Sequence, residues 1–468
     1  MTTYSATFQP SHFERLCTHL LRLDACEHAA YVLFNEVSIS FEPWDRQAHR
    51  KFISAEVIPI PDEHILESSP TVVSWGTALH MAALKRAEAK NQRVAIVHNH
   101  GAGYPSFSSQ DDDNEPHLSQ MAINRNGPGT PLLSFILTAD GVLTGRIWLS
   151  PKYKEPLRMI RVIGDHFEFH YPGRGAGYTR MVFHRQALAF GRTLNQDLAQ
   201  LRVGVVGCGR TGSAIALLLP RLGIGNVLLI DNDIADVTNL NRLHGARQCD
   251  ADAMRPKVEI VARAITELGL GTRVVTKEAW VGDPECRDAL RSCDIVFACT
   301  DDHDGRMFLN RLALFYVIPV VDLGLAIRVD KDEPPELKAL DGRVTVLLPG
   351  NTCLPCRGVT DPVIAAEEAM RREQPAEYEK RKAEAYVFGE GNPSPVVVTF
   401  TTELACMAAN EMLNRINGFR GPPMKNLVRK FHLMEDFKPG AKPRPGCALC
   451  DDTRYWGLGD FDPFLDRS

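Results

Sequence analysis

Two imidazoles, His98 and His100, stand two residues apart directly after the apolar run QRVAIV. Seven residues follow, then Ser108; two more, then Asp111. Imidazole nitrogens and a carboxylate oxygen suit zinc, and three protein ligands leave a fourth position open for water. Such a site depresses the pKa of its bound water towards ~7. A base must then take the proton, and Glu36, set in the apolar stretch VLFNEVSIS, is the candidate. An acid in such a strand is expensive unless it is paired or functional. Taken singly, the histidines also fit a polar loop that runs into the acidic stretch Asp111 to Asp113, and Asp112 could replace Asp111 as ligand. An EF-hand is excluded, because the alternating ligands and glycine are missing from DDDNE.

A second group begins at Gly207, Gly209 and Gly212, a GxGxxG turn between a strand pattern and a helix pattern, and Asp231 ends the next strand. Backbone amides at the start of a helix cradle phosphates there, and the acid partners a ribose. Alone, the turn would equally introduce an NAD dehydrogenase. The run IDNDIADVTNLNR then supplies Asp231, Asp233, Asn239, Asn241 and Arg242, with Lys257 further on and Asp301 after DIVFACT. Splitting ATP needs cations for the phosphates and a carboxylate for Mg²⁺, and nicotinamide chemistry needs neither. Finally, Cys353-Leu-Pro-Cys356 and Cys447-Ala-Leu-Cys450 are two CxxC knuckles, which together make a closed, structural Zn²⁺ site. Either alone could be a redox pair, but neither is followed by the helix of a thioredoxin motif.

These groups need scaffolding of two kinds. Residues 28–60 alternate in strand fashion, Pro70–Ala89 reads as a helix with Leu79, Ala83 and Leu84 on one face, and Gln92–Val97 reads as a buried strand that delivers His98. Residues 132–149 form a hairpin pattern turning at Ala139-Asp140-Gly141. Tyr171–Gly177 is the expected linker. After it, strands alternate with helical patterns, which implies a doubly wound, Rossmann-like, mostly parallel sheet. Residues 363–386 read as a charged helical insertion without a strong apolar stripe. The expected fold class is therefore α/β, with one domain over 1–172 and a second over 173–468.

A chain of 468 residues exceeds one ordinary core. A net charge of -5 gives no broad basic surface for nucleic acid, and no apolar stretch reaches the roughly 18 residues of a membrane span. The polar start, Met1–Cys17, lacks the apolar core of a signal peptide, so a cytoplasmic location is expected. Without a secretion signal, the 12 cysteines read as thiols or metal ligands, not disulfides.

The upstream Glu, the H-x-H pair, the Ser and the Asp resemble the JAMM (JAB/MPN) metalloprotease motif over roughly residues 1–150. The resemblance implies that His98, His100 and Asp111 hold zinc, that Glu36 is the general base and that Ser108 helps to stabilise the oxyanion. It also implies cleavage of isopeptide or peptide bonds after ubiquitin-like carboxyl termini. Residues 180–450 resemble the ThiF/MoeB/ubiquitin-activating superfamily. That implies Asp231 on the ribose, Asn239, Arg242 and Lys257 on phosphates, and Asp301 on Mg²⁺. His184-Arg185-Gln186 is similar to the family's Arg-Gln segment, which implies Arg185 acting in trans as an arginine finger within a homodimer. Leu243 stands where the family often has Gln.

Many members of that superfamily pass the activated carboxylate to a cysteine after the first CxxC, yet residues 357–405 contain none. Cys406 reads as a core residue, Cys208 and Cys299 as small packing residues, and Thr360 and Ser394 remain as hydroxyl acceptors beside direct transfer to a partner. The combined expectation is a fused enzyme that trims or removes a ubiquitin-like β-grasp protein and adenylates its carboxyl terminus, with a conjugating-enzyme-like protein as a further partner. Activation of a sulfur carrier, a non-catalytic scaffold and an NAD dehydrogenase are the alternatives.

Overall fold

The computed structural model describes residues 2–175, 180–330, 336–383 and 395–460. Ser394 and residues 176–177, the end of the expected linker, lie outside the described residues.

Burial along β2 (Ala29–Glu42) shows how the first half is built. Its first seven residues are buried on both faces, and beyond Asn35 only alternate residues such as Val37 and Ile39 are buried. Successive side chains of a strand point to opposite faces. Ala30, Val32 and Phe34 join Leu16 and Leu20 of α1 (Pro10–Leu20), while Ala29, Tyr31 and Leu33 join Ala83 of α2 (Thr77–Glu88) and Ala122 of α3 (Ser109–Asn126).

The sheet between these layers also holds β1 (Thr3–Phe8), β3 (Gln47–Pro59), β6 (Arg93–His100), β7 (Leu132–Thr138), β8 (Leu143–Ser150), β9 (Tyr153–Pro156), β10 (Met159–Ile163) and β11 (Phe167–His170). Its order is β11-β10-β1-β3-β2-β6-β7-β8-β9. A separate hairpin pairs β4 (Ile65–Ser69) with β5 (Val72–Trp75). The helix expected from Pro70 therefore starts only at Thr77. Val72, Val73 and Trp75 carry branched and aromatic side chains that fit a pleated ladder, and this ladder takes the segment before the helix can begin.

The second half runs β12 (Arg202–Val206), β13 (Asn226–Ile230), β14 (Arg273–Lys277), β15 (Ile295–Ala298), β16 (Val320–Val329), β17 (Leu337–Leu347), β18 (Asn426–Lys430) and β19 (Glu435–Phe437), in the order β14-β13-β12-β15-β16-β17-β18-β19. The strands from β14 to β16 are parallel, and β17 to β19 extend the sheet antiparallel. The direction of winding reverses between β12 and β15, and ligands of such sheets bind at that point, beyond the carboxyl ends of the strands. The helices are α4 (His184–Phe190), α5 (Arg192–Gln200), α6 (Arg210–Leu222), α7 (Gln248–Asp252), α8 (Lys257–Glu267), α9 (Pro284–Arg291), α10 (His303–Phe315), α11 (Pro362–Glu373), α12 (Pro375–Ala383) and α13 (Val398–Asn417). The charged insertion becomes α11 and α12, and its residues 384–386 lie outside the described ones.

The two halves share a core. Val37, Ile39, Ile53 and Phe169 of the first sheet belong to the same buried cluster as Leu198, Val203 and Ile295 of the second. Charged groups lock the seam: Arg161 Nε donates to Asp294 Oδ1 at 2.6 Å, Arg202 Nη2 to Asp45 Oδ2 at 2.6 Å, and Lys51 Nζ to the Arg291 carbonyl at 2.8 Å. The segment Trp456–Asp460 is wedged into the same seam. Asn35 Nδ2 donates to the Gly457 carbonyl, the Gly457 and Gly459 amides donate to the Leu314 and Phe315 carbonyls, and Asp460 accepts from Arg291 and Tyr316.

Candidate active sites

β6 presents His98 and His100 on one face, because they are two residues apart on a strand. Ser108 caps α3: its Oγ accepts the Asp111 amide at 3.2 Å while its own amide donates to Asp111 Oδ2 at 2.7 Å. The cap turns Asp111 toward the strand end. One ligand atom each from His98, His100 and Asp111 then lie within 4.8 Å of one another. His98 Nε2 is 3.0 Å from His100 Nε2 and 3.5 Å from Asp111 Oδ1. His100 Nδ1 lies 3.0 Å from the Tyr104 carbonyl oxygen, which turns Nε2 inward. Burial pushes the His98 imidazole down to about 4, so the ring is neutral, the form that binds a metal. The donor set and its protonation fit Zn²⁺.

Glu36 is not in this site. Its carboxylate accepts from Arg50 Nε at 2.5 Å and from Arg93 Nε at 3.0 Å. β2 runs antiparallel to β6, with Ala29 opposite His98 and Phe34 opposite Arg93, so Glu36 lies past the far end of the ladder from the histidines. The carboxylate that does reach them is Glu27, just before β2, with Oε1 3.8 Å from His100 Nε2. Asn99 holds that turn by accepting the His28 amide at 2.6 Å and donating to the Cys26 carbonyl at 3.1 Å. Burial, then the Asp111 charge, pushes the Glu27 carboxyl up to about 7. The signal was present in the sequence: in an antiparallel pair, the residue facing the end of one strand comes from the start of the other.

Arg146 on β8 anchors α3 from behind. Its Nη1 donates to Asp112 Oδ1 at 2.5 Å, its Nε donates to Glu115 Oε2 at 2.8 Å, and its guanidinium lies 3.7 Å from the centre of the Phe107 ring. Asp112 is therefore committed to Arg146 and Lys154, and Asp111 is the carboxylate that joins the histidines. A cavity of about 360 Å³ opens beside the cluster, bordered by Val72, Trp75 and Met121.

In the second domain, a cavity of about 460 Å³ lies at the carboxyl ends of the parallel strands, where the winding reverses. Gly207 has φ 85, and a Cβ at Gly212 would stand 1.7 Å from the Gly207 carbonyl oxygen. Glycine at both positions lets α6 start hard against the strand end. Gly207, Gly209, Asp231, Asp233, Asn239, Arg242, Lys257 and Asp301 all line the cavity, whereas Gly212 packs behind the turn. Asp231 accepts the Cys208 amide at 2.5 Å and the Asp233 amide at 2.8 Å, and burial raises its pKa. Lys257 Nζ donates to Asp233 Oδ2 at 2.6 Å. Arg242 donates to the Thr238 carbonyl. Arg185 does not line the cavity of its own chain; it is exposed on α4. Arg210, Trp280, Asp302 and three residues of α11 (Glu368, Arg371 and Arg372), none of them expected from the sequence, also line the cavity.

The two knuckles meet. Cys450 Sγ is 3.4 Å from Cys353 Sγ and 3.8 Å from Cys356 Sγ, and Cys353 Sγ is 3.7 Å from Cys447 Sγ. Tetrahedral Zn–S bonds of about 2.3 Å place sulfurs about 3.75 Å apart, so the four thiols fit Zn²⁺. Cys208 is buried, Cys299 borders the cavity, Cys406 is half-buried on α13, and Thr360 is buried away from the cavity.

Residues 183–449 match the ThiF family, and residues 9–149 match prokaryotic homologs of the JAB domain. The SAMP-activating enzyme E1 of Haloferax volcanii is 28% identical over 159 residues, 34% of this chain and 54% of that protein. The molybdopterin-synthase adenylyltransferase of Escherichia coli (strain K12) is 31% identical over 165 residues, 34% of this chain and 60% of that protein. The adenylyltransferase and sulfurtransferase MOCS3 of Bos taurus is 27% identical over 278 residues, 58% of this chain and 53% of that protein. The chain thus spans about half to three fifths of the length of these curated relatives. Among solved structures, Escherichia coli MccB with ATP overlaps 60% of this chain and 76% of its own at a TM-score of 0.43 and 19% identity, too slight an overlap to argue from.

Proposed function

Because the chain belongs to the ThiF family, we propose that its second domain adenylates the carboxyl terminus of a ubiquitin-like or sulfur-carrier β-grasp protein, and that its first domain hydrolyses peptide or isopeptide bonds after such a terminus. The observation that carries the reading is the convergence of Asp231, Asn239, Arg242, Lys257 and Asp301 around the glycine turn in one cavity. ATP would lie there with its ribose on Asp231 and its phosphates toward the turn, Asn239, Arg242 and Lys257, and Asp301 would hold Mg²⁺. The carrier's carboxylate attacks the α-phosphorus, an acyl-adenylate forms and pyrophosphate leaves. The cations stabilise the charge that builds on the phosphate oxygens during that displacement.

In the first domain, His98, His100 and Asp111 would hold Zn²⁺, which supplies Lewis acidity at neutral pH. Glu27, whose carboxylate reaches His100, accepts a proton from the attacking water and returns it to the leaving amine. Ser108 borders the cavity, and its hydroxyl, which donates to Asp111 Oδ2 at 2.8 Å, would have to leave that bond to donate to the developing oxyanion. Cys353, Cys356, Cys447 and Cys450 would hold a structural Zn²⁺. Trimming exposes the carboxylate that the second domain activates, so the two activities form a sequence.

α4 offers a dimer contact. Leu188, and Met181 and Val182 just before the helix, are largely exposed beside Arg185. In a homodimer Arg185 reaches the partner's nucleotide cavity. A conjugating-enzyme-like protein then takes the activated carrier. Among the described residues no helix is long and apolar enough to cross a membrane. The test is ATP–pyrophosphate exchange with purified β-grasp candidates: carrier-dependent exchange, lost in Asp301→Ala, is expected. A protein that binds ATP yet exchanges with no carrier would refute the adenylation reading.

A further inference from the structure

Two adjacent arginines of α11 meet the nucleotide cavity on different terms. Arg372 is committed to the protein: its guanidinium lies 3.4 Å from the centre of the Trp280 ring, and its Nη2 donates to Asp304 Oδ2 at 2.6 Å. Glu368, one turn earlier, accepts the Asp304 amide at 2.9 Å, and Trp280 Nε1 donates to Asp302 Oδ2 at 3.1 Å. These bonds fix α11 against the first turn of α10, at the Asp301–Asp302 end of the cavity and not the ribose end marked by Asp231.

Arg371 lines the same cavity, is exposed, and has no carboxylate within ion-pair distance among the described residues. Arg210, at the start of α6, and Arg242 are half-buried; they also line the cavity and also have no carboxylate within ion-pair distance among the described residues. Lys257 and Arg372, on the same walls, are both paired. Three like charges aimed into one space repel one another unless a polyanion sits between them. Arg210 already registers the crowding: burial lowers its pKa, and Arg242 and Arg306 lower it further against the opposing pull of Asp301.

We propose that Arg371 is a nucleotide-binding residue that engages the terminal phosphates of a nucleoside triphosphate from the side opposite the glycine turn, with Arg210 facing it across the cavity. The helix after the first cysteine pair thereby becomes a phosphate-reading wall, with Arg372 as the positioning residue that holds it in place. This rests on the cavity being an ATP site.

Calorimetric titration of the full chain with a non-hydrolysable ATP analogue and with AMP separates the outcomes. Arg371→Gln is expected to weaken the analogue by about tenfold, the size of one charge-assisted hydrogen bond, and to leave AMP unchanged. Arg371→Lys is expected to recover part of the loss, and the thermal midpoint should not move, because the side chain is exposed. Equal affinity of Arg371→Gln and wild type for the analogue would overturn the proposal, as would an equal loss for analogue and AMP. A rise in the carrier's KM with ATP affinity intact would assign Arg371 to the carrier's carboxylate and overturn it too. Wild-type protein that binds neither nucleotide would instead overturn the ATP reading beneath it.

Discussion

Ala29 stands directly opposite His98 in the antiparallel ladder between β2 and β6. That register brings Glu27 to the histidines and carries Glu36 away from them. Glu27→Gln is expected to lower hydrolysis of a carrier fusion by about 10²–10⁴-fold, the usual worth of a general base. Glu36→Gln should leave the rate alone and destabilise the domain by about 2 kcal/mol through its lost arginine contacts. Initial rates and denaturant melts of both variants decide it; the opposite pattern would restore Glu36 as base.

Arg146 should matter without touching the cluster. It ties Asp112 and Glu115 of α3 to β8, and α3 carries Asp111. Arg146→Met is expected to weaken Zn²⁺ binding at the histidine site by about 10–100-fold, the range for groups that orient ligands. Chelator competition on a protein with the knuckle already loaded would measure it. Unchanged affinity in a folded variant would show that the helix is held by other contacts.

If Arg185 serves the partner's cavity, two inactive variants should rescue each other. Mixed Arg185→Ala and Asp301→Ala chains are expected to regain up to about a quarter of wild-type exchange, because a random heterodimer restores one intact site in half of the dimers. No recovery in a mixture shown to exchange subunits would place Arg185 outside the reaction.

The cysteine knuckle should govern the domain seam. Stripping its metal is expected to free Trp456–Asp460, which begins six residues after Cys450. Hydrogen exchange would show lost protection at the Gly457 and Gly459 amides, bonded to the Leu314 and Phe315 carbonyls, while the β12–β13 ladder stays protected. Protection that survives metal removal would uncouple knuckle and seam.

Lys51 makes the seam sensitive to pH. Burial pushes its ammonium down from 10.5 to about 7; Arg161 and Arg202 lower it further, and Asp294 opposes them. Burial, and then the charges of Lys51, Arg161 and Arg202, hold His49, two residues away on the same strand, well below its usual value. Between about 7 and 10.5 the unfolded chain binds a proton at Lys51 that the folded chain does not, so stability rises with pH across that window. The penalty is full below about 7. Lys51→Met should flatten the slope of the denaturation midpoint between pH 7 and 10, and an unchanged slope would assign the effect elsewhere.

The glycine turn, the histidine pair and the knuckles were legible because each is a local spacing tied to a local geometry. Gly212 must be small for α6 to begin, and His98 and His100 share a face because strands alternate. Glu27 was not legible, since its place depends on which end of β2 meets which end of β6. Arg371 was not legible either: α11 is held at the cavity by contacts with residues far away in sequence, Asp304 and Trp280 among them. The strand Val72–Trp75 is indistinguishable from helix in the sequence because a short apolar run carries no period of its own.

The wedge formed by Trp456–Asp460 imposes an order on synthesis. Amino-terminal domains fold first as the chain emerges, at about 5–20 residues per second. The first sheet is therefore complete while the segment that closes its inner flank is still untranslated. Lys51 stays wetted and protonated until Arg291 and Cys293 have been made and docked, and Val37 lies bare to any passing chaperone until Gly459 arrives. The ribosome itself sets how long that apolar flank goes unguarded.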